Sequence, residues 1–185
     1  PLQDLDQIPT LDHSLMKDFD KLLAWSRRQD RYALPLMASR GCPHACTYCS
    51  VSRMFGRKVR RQSVEKVYSD LKHYREEGFR RVFFYDDNFT SNRKWTRRLM
   101  DRVEPLDMKF NVQARIDFHW KNRRKRIRDQ ELLESFKRGG GDLVYVGYET
   151  IDQDTADEWQ KGYGSGQSLE ERLAEDTKIL HDSGL

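Results

Sequence analysis

All three cysteines of this 185-residue chain fall in one eight-residue window, Cys42-Pro-His-Ala-Cys46-Thr-Tyr-Cys49. Spacings of three and then two intervening residues can aim three thiolates at a single centre, so the loop that carries them has to fold around whatever they hold. A disulfide would leave one thiol unpaired, and no apolar leader precedes the window to carry it into an oxidising compartment. Structural zinc needs a fourth ligand, for which only His44 inside the window or the distant His119 offers itself. A ferredoxin-like carrier would need a fourth cysteine. Three thiolates suffice for a 4Fe-4S cube whose fourth iron stays open to a non-protein ligand, and an open iron is a reaction site.

The surrounding pattern places that loop on a scaffold. Leu34-Pro-Leu-Met-Ala38 reads as a buried strand, and Ser39-Arg40-Gly41 turns directly into Cys42. Ser63 is suited to cap a helix with Val64, Val67, Leu71 and Tyr74 on one face and Gly78 at its end; Val82-Phe83-Phe84-Tyr85 then reads as a fully buried strand. A helix from about Asn92 with Trp95, Leu99 and Val103, a strand from Met108 to Ala114, and a helix capped by Asp129 and broken at Gly139-Gly140-Gly141 follow. Leu143-Val144-Tyr145-Val146 is the fourth expected strand, and Ser168 with Glu171 forms a capping box opening a last helix that ends at Gly184. Four strand–helix alternations predict an α/β fold with chemistry at the C-terminal strand ends.

Here the sequence resembles a known family. Cys-x3-Cys-x-aromatic-Cys after a first strand is similar to the signature of the radical S-adenosylmethionine (radical SAM) enzymes. The wording Ser39-Arg40-Gly41-Cys42-Pro43, Phe84-Tyr85-Asp86-Asp87-Asn88-Phe89 and Gly147-Tyr148-Glu149-Thr150 resembles the branch often fused to a cobalamin-binding domain. The resemblance implies a partial (βα) TIM-like barrel, here expected to be cut after about four strand–helix units. Residues 1–30, with Leu15, Phe19, Leu22 and Leu23 at helical spacing and ending in Arg27-Arg28-Gln29-Asp30, read as a linker with a short amphipathic helix, and the resemblance implies residues 31–185 as the incomplete radical SAM core.

The resemblance also implies roles. Cys42, Cys46 and Cys49 would hold a 4Fe-4S cluster, and S-adenosyl-L-methionine on the open iron would be cleaved reductively to a 5'-deoxyadenosyl radical. Tyr48 resembles the aromatic that packs on adenine. The family's glycine-rich segment ending in Glu is replaced here by Asp86-Asp87-Asn88, any of which can accept from the cofactor's ammonium. Gln113 and Arg115 end the third strand, and Arg115 is suited to pair with a carboxylate. Glu149 resembles the ribose-binding carboxylate, and Lys161 the basic position that meets the cofactor carboxylate. The chain contains no Asp-x-His-x-x-Gly motif, so cobalamin is expected in a longer parent protein and not on these residues.

Composition bounds partners. No stretch has the length of a membrane span, and a cytoplasmic enzyme supplied by a reductant such as flavodoxin or ferredoxin is expected. The net charge of +4 is concentrated in Arg57-Lys58-Val59-Arg60-Arg61 and in the run from Lys121 to Arg128. Both runs are expected as solvated loops able to neutralise phosphates. A small-molecule substrate is favoured over nucleic acid, because neither run interleaves aromatics that could stack on bases. His44 is expected as an exposed loop filler, and His13, His73, His119 and His181 as surface residues. A zinc or basic nucleic-acid-binding module, and a tRNA methylthiotransferase-like enzyme, remain the alternatives.

Overall fold

The computed structural model describes residues 2–28, 33–163 and 167–185. After helix α1 (Phe19–Arg28) the chain forms β1 (Leu34–Leu36), β2 (Ser39–Arg40), the short helix α2 (Val51–Met54), β3 (Arg60–Arg61) and α3 (Val64–Glu77). Next come β4 (Arg81–Phe84), α4 (Arg93–Val103), β5 (Lys109–Gln113), the hairpin strands β6 (Trp120–Asn122) and β7 (Ile127–Arg128), and α5 (Gln130–Arg138). β8 (Gly141–Tyr145), α6 (Gln153–Glu158) and α7 (Leu169–Asp182) complete it.

β1, β4, β5 and β8 form one four-stranded parallel sheet in chain order, each unit adding its strand beside the previous one as in a barrel. The helices start where side chains satisfy their first amides. Ser63 Oγ accepts from Lys66 N–H, Asn92 Oδ1 from Trp95 N–H and Asp129 Oδ1 from Leu132 N–H. The expected capping box is present: Ser168 Oγ accepts from Glu171 N–H while the Glu171 carboxylate accepts from Ser168 N–H.

Helices α3, α4 and α5 pack side by side on one face of the sheet. Val67, Leu71, Phe84, Leu99, Phe110 and Phe136 lie between them without solvent contact. Each such side chain contributes roughly 1.5–3 kcal/mol by leaving water. A second cluster gathers Ile116, Phe118, Leu132, Leu133, Leu173 and Leu180 under α7.

Several expectations need correction. The segment Val82–Tyr85 alternates instead of being buried throughout: Val82 and Phe84 face the helices, whereas Phe83 is half-buried and Tyr85 exposed. The reason is that the opposite sheet face, with Tyr85, Leu143 and Tyr145, carries no covering layer among the described residues. Phe83 shields itself there against Tyr85 and Tyr145, at ring-centroid distances of 4.2 and 4.9 Å. Leu15 does not belong to the first helix, which begins at Phe19. The segment before it is also no free linker. Asp6 Oδ1 accepts from Ser63 N–H at 2.7 Å, Thr10 bonds Asp70, and His13 Nδ1 lies 2.9 Å from Glu77, strapping the segment to α3. The expected break at Gln29-Asp30, and with it the boundary between residues 30 and 31, lies outside the described residues.

The histidine and basic-run expectations also change. His13 is buried because Glu77 and the rings of Tyr74 and Phe79 enclose it, and His119 because Asp176 hydrogen-bonds its ring nitrogen at 3.0 Å. Arg60-Arg61 forms β3, paired antiparallel with β2, and the run from Lys121 to Arg128 folds as the β6–β7 hairpin. In both cases backbone pairing supplies order that the charged side chains do not reveal.

Candidate active site at the strand ends

Beyond β1, Ala38 is fully buried and Ser39-Arg40 pairs with Arg60-Arg61, so residues 41–59 leave and re-enter the scaffold at one point as a closed loop. Two carboxylates from the end of β4 hold its root. Asp86 accepts from Ala38 N–H at 3.1 Å and from Ser39 Oγ, and Asp87 accepts from Gly41 N–H at 2.8 Å. Gly41 has φ of +95°, and a Cβ there would meet the carbonyl oxygens of Gly56 at 2.9 Å and Lys58 at 3.0 Å. Only glycine lets the chain turn into Cys42 that close to the returning strand.

The loop roofs a cavity of about 300 Å³ at the C-terminal ends of β4, β5 and β8. Cys42, Cys46 and Cys49 line it as half-buried free thiols. Asn88 Nδ2 stands 4.0 Å from Cys42 Sγ. Tyr48 packs edge-on against Trp159 at 5.3 Å, and Thr47 N–H donates to the Trp159 carbonyl at 3.0 Å, tying the loop to the end of α6.

Opposite the cysteines, Lys161 Nζ donates to Tyr48 OH at 2.6 Å and to Glu149 Oε1 at 2.9 Å. Glu149 sits at φ +61° in a tight turn closed by Thr150 N–H donating to the Tyr148 carbonyl at 2.7 Å. For a side-chain-bearing residue that conformation costs on the order of 1–2 kcal/mol, a strain that clusters at functional sites. Arg115 holds the floor: it donates to Asp117 at 3.0 and 3.1 Å, to the Lys161 carbonyl at 2.7 Å and to the Gly162 carbonyl at 3.2 Å. Tyr163 OH donates to the Gly147 carbonyl at 3.0 Å.

Burial dominates the electrostatics. It pushes the Cys42 thiol above its ordinary range against the hydrogen bonds from His44 N–H and Asn88 that favour the thiolate. Burial also raises the Tyr48 and Tyr163 phenols, assisted at Tyr48 by Cys46 and Glu149, so both hydroxyls stay protonated donors. The His44 imidazole is lowered by burial and then by the nearby Arg115 guanidinium. Asp86, without solvent contact, is raised to about 6 by desolvation despite its bonds to Ser39 and Ala38.

Of the residues singled out from sequence, Cys42, Cys46, Cys49, Tyr48, Asp87, Asn88, Gln113, Arg115, Glu149 and Lys161 all line this one cavity. Asp86 does not; its carboxylate is turned beneath the loop root, where Ala38 N–H and Ser39 Oγ hold it. Three polar or aromatic residues given no role from the sequence also line it: His44, half-buried instead of exposed, Tyr145 at the end of β8, and Tyr163, the last residue of the Lys161-Gly162-Tyr163 motif. The motif was the available signal for Tyr163.

Among the described residues no group of three His, Cys, Asp or Glu side chains is arranged to hold a metal ion. Three soft thiolates spread around one cavity instead fit a polynuclear iron–sulfur centre, whose own iron and sulfide keep its ligands apart.

Comparison with known proteins gives the family and the fold. The Radical SAM superfamily model matches residues 36–174. An uncharacterized methyltransferase of Pyrococcus horikoshii is 30% identical over 179 residues, 91% of this chain and 34% of the relative. The structure of OxsB, a cobalamin-dependent S-adenosylmethionine radical enzyme, superposes with a TM-score of 0.72 at 21% identity, covering 96% of this chain and 25% of that one. TsrM from Kitasatospora setae, a radical S-adenosylmethionine methyltransferase, gives 0.69 at 14% identity over 88% of this chain and 30% of that one. The chain thus spans about a third or less of the length of these relatives, and the structures share its fold.

Proposed function

Because the chain belongs to the radical SAM superfamily, we propose that it forms the cluster- and cofactor-binding core of an enzyme that transfers a methyl group to a small molecule with the help of cobalamin held by another part of the parent protein. The reading is carried by one observation: three half-buried free thiols and ten further polar or aromatic side chains converge on a single cavity at the strand ends. The methyltransferase relative and the two cobalamin- or methyl-transfer-linked structural neighbours support the reaction class.

In this reading Cys42, Cys46 and Cys49 hold a 4Fe-4S cluster and the remaining cavity takes S-adenosyl-L-methionine. Bound together, these groups supply one-electron reductive cleavage of a sulfonium. The chain's own residues bind and orient. Tyr48 offers a ring face to adenine, Glu149 accepts from ribose hydroxyls, and Asp87 and Asn88 accept from the methionine ammonium. Lys161 keeps Glu149 and Tyr48 in register while its third ammonium hydrogen, with Gln113, serves the carboxylate end. Arg115, already bonded to Asp117 and two carbonyls, positions the Lys161–Tyr163 segment and does not clamp the ligand. Asp86 positions the loop root.

Residues 31–185 act as the core and residues 1–30 as its lead-in. No helix among the described residues is long and apolar enough to cross a membrane. A reducing, cytoplasmic setting with a flavodoxin- or ferredoxin-like donor fits three thiols that have to stay reduced to hold a cluster. Anaerobic reconstitution tests the proposal. It should incorporate about four irons and matching sulfide per chain with a broad visible charge-transfer band. Ala at any one of Cys42, Cys46 or Cys49 should remove the band. Stoichiometric zinc in the protein as isolated, with no iron uptake, would overturn it.

A further inference from the structure

One buried carboxylate gathers three side chains at the β6–β7 hairpin and the turn before it. Asp176 of α7 accepts from His119 Nε2 at 3.0 Å, Trp120 Nε1 at 2.8 Å and Arg123 Nη1 at 2.5 Å. Beside this anchor lies a cavity of about 450 Å³ lined by Arg123, Arg124, Arg126 and Arg172. Two carboxylates also line it, and both are engaged: Glu175 with Arg126 at 2.5 Å and Asp117 with Arg115 at 3.0 Å.

Arg172 is the unusual member. It is 3% exposed, yet it donates only to neutral acceptors, the Tyr163 carbonyl at 3.1 Å and Gln153 Oε1, and its Nε is buried with no partner among the described residues. No carboxylate among those residues lies within ion-pair distance of it; Asp157 and Asp176 act on its charge only from further off, and burial with the neighbouring Arg123 outweighs them. A buried guanidinium left in that state is costly unless an anion completes it. Arg124, exposed at the rim, also has no partner among the described residues.

This basic cavity adjoins the candidate active site through shared walls. A cavity of about 540 Å³ between them shares Asp117, Trp120 and Arg123 with the basic one and His44, Asn88 and Arg115 with the cysteine-lined one. We propose that the groove holds a phosphate group of a small substrate, on Arg172 and Arg124, whose reacting end lies in the cysteine-lined cavity. The substrate assignment rests on the function proposed above; the phosphate site itself does not.

Planar guanidinium forks match a tetrahedral oxyanion better than single ammonium groups do. Depth argues for a small molecule: Arg172 lies out of reach of a flat protein surface or a polymer backbone. Trp120 gives no platform for a nucleobase either. It is 5% exposed, with the guanidinium groups of Arg123, Arg126 and Arg128 each 5.7 Å from its ring.

The test is calorimetric titration of the whole 185-residue chain with inorganic phosphate, beside a single-stranded RNA 20-mer, at fixed ionic strength. Wild type should bind one phosphate saturably, and Arg124→Gln, an exposed change that leaves the fold intact, should weaken it about tenfold. Arg172→Met should abolish binding, with its circular dichroism checked against wild type. S-adenosylmethionine affinity of the reconstituted Arg124→Gln protein should stay unchanged. No saturable phosphate heat, or equal affinity in wild type and Arg124→Gln, would overturn the site. So would RNA affinity that grows with oligonucleotide length and is insensitive to added phosphate, which marks a polymer surface instead. Failure of the radical reading shows separately, as absent iron uptake, and leaves the phosphate titration as it was.

Discussion

A Cβ placed on Gly147 would lie 2.0 Å from Glu149 Oε1, so the carboxylate of one residue is folded directly over the backbone of the other. The same Cβ would stand 3.4 Å from Lys161 Nζ. The Lys161–Glu149 pair therefore depends on a missing side chain two residues earlier.

Gly147→Ala should separate folding from binding. The obstructing atom is the tip of a flexible side chain, so the chain folds with a stability change within about 1 kcal/mol. Glu149 must swing off Lys161, however, and S-adenosylmethionine affinity of the reconstituted protein should fall about tenfold. Equilibrium binding beside a thermal melt checks this; an unchanged affinity would remove Glu149 from the cofactor contacts.

Gly41→Ala should act on the cysteine loop itself. The left-handed φ costs a Cβ-bearing residue roughly 1–2 kcal/mol, and here the clash is with two backbone carbonyls that have little room to move. Loss of ordered thiolates should appear as incomplete iron incorporation with secondary structure retained. Full incorporation in the variant would mean that the loop turns without help from glycine.

Asp86 predicts a pH dependence. Its folded pKa of about 6 lies above the ordinary value of 3.8, so between about pH 4 and pH 6 the folded chain holds a proton that the unfolded chain has released. Stability from this group is therefore present at the acid end, is lost as pH rises through 6, and is level above. The change amounts to on the order of 3 kcal/mol. Asp86→Asn should flatten that slope, so urea unfolding of the cluster-free chain should show the variant gaining on wild type from pH 4.5 to 7. Parallel curves would contradict the prediction.

Asp176 runs the other way. Burial pushes its carboxyl up, but the bonds from His119, Arg123 and Trp120 outweigh burial and hold it below the ordinary range. Its contribution is present above the unfolded value and lost as pH falls. Asp176→Asn leaves Arg123 without its buried anion and should cost about 3–5 kcal/mol at pH 7 by urea unfolding. The hairpin should also become more sensitive to trypsin at Arg123 and Arg124; unaltered stability and cleavage would show that the hairpin is held elsewhere.

How much of this was legible beforehand varies with the range of the interaction. The caps at Ser63, Asp129 and Ser168 depend on residues three positions apart and were readable, as was a helix start near Asn92, which also caps. So were the parallel strands, though not their open face, because a run such as Val82-Phe83-Phe84-Tyr85 looks the same whether one face or both are covered. The β2–β3 ribbon and β6–β7 hairpin escaped, since strongly charged segments carry no hydrophobic alternation to betray pairing.

For the site, the sequence by itself determined the chemistry: three thiols at fixed spacing, the only cysteines in the chain, with an aromatic beside the last. Local spacing settles which groups are available, because it is written in covalent geometry. Only the tertiary structure decided which of Asp86, Asp87 and Asn88 reach the cavity, that Arg115 is already engaged, and that Lys161 meets Tyr48 across 113 positions of chain. Those outcomes follow from strand register and from the packing of one unit on the next, which no short window of residues contains.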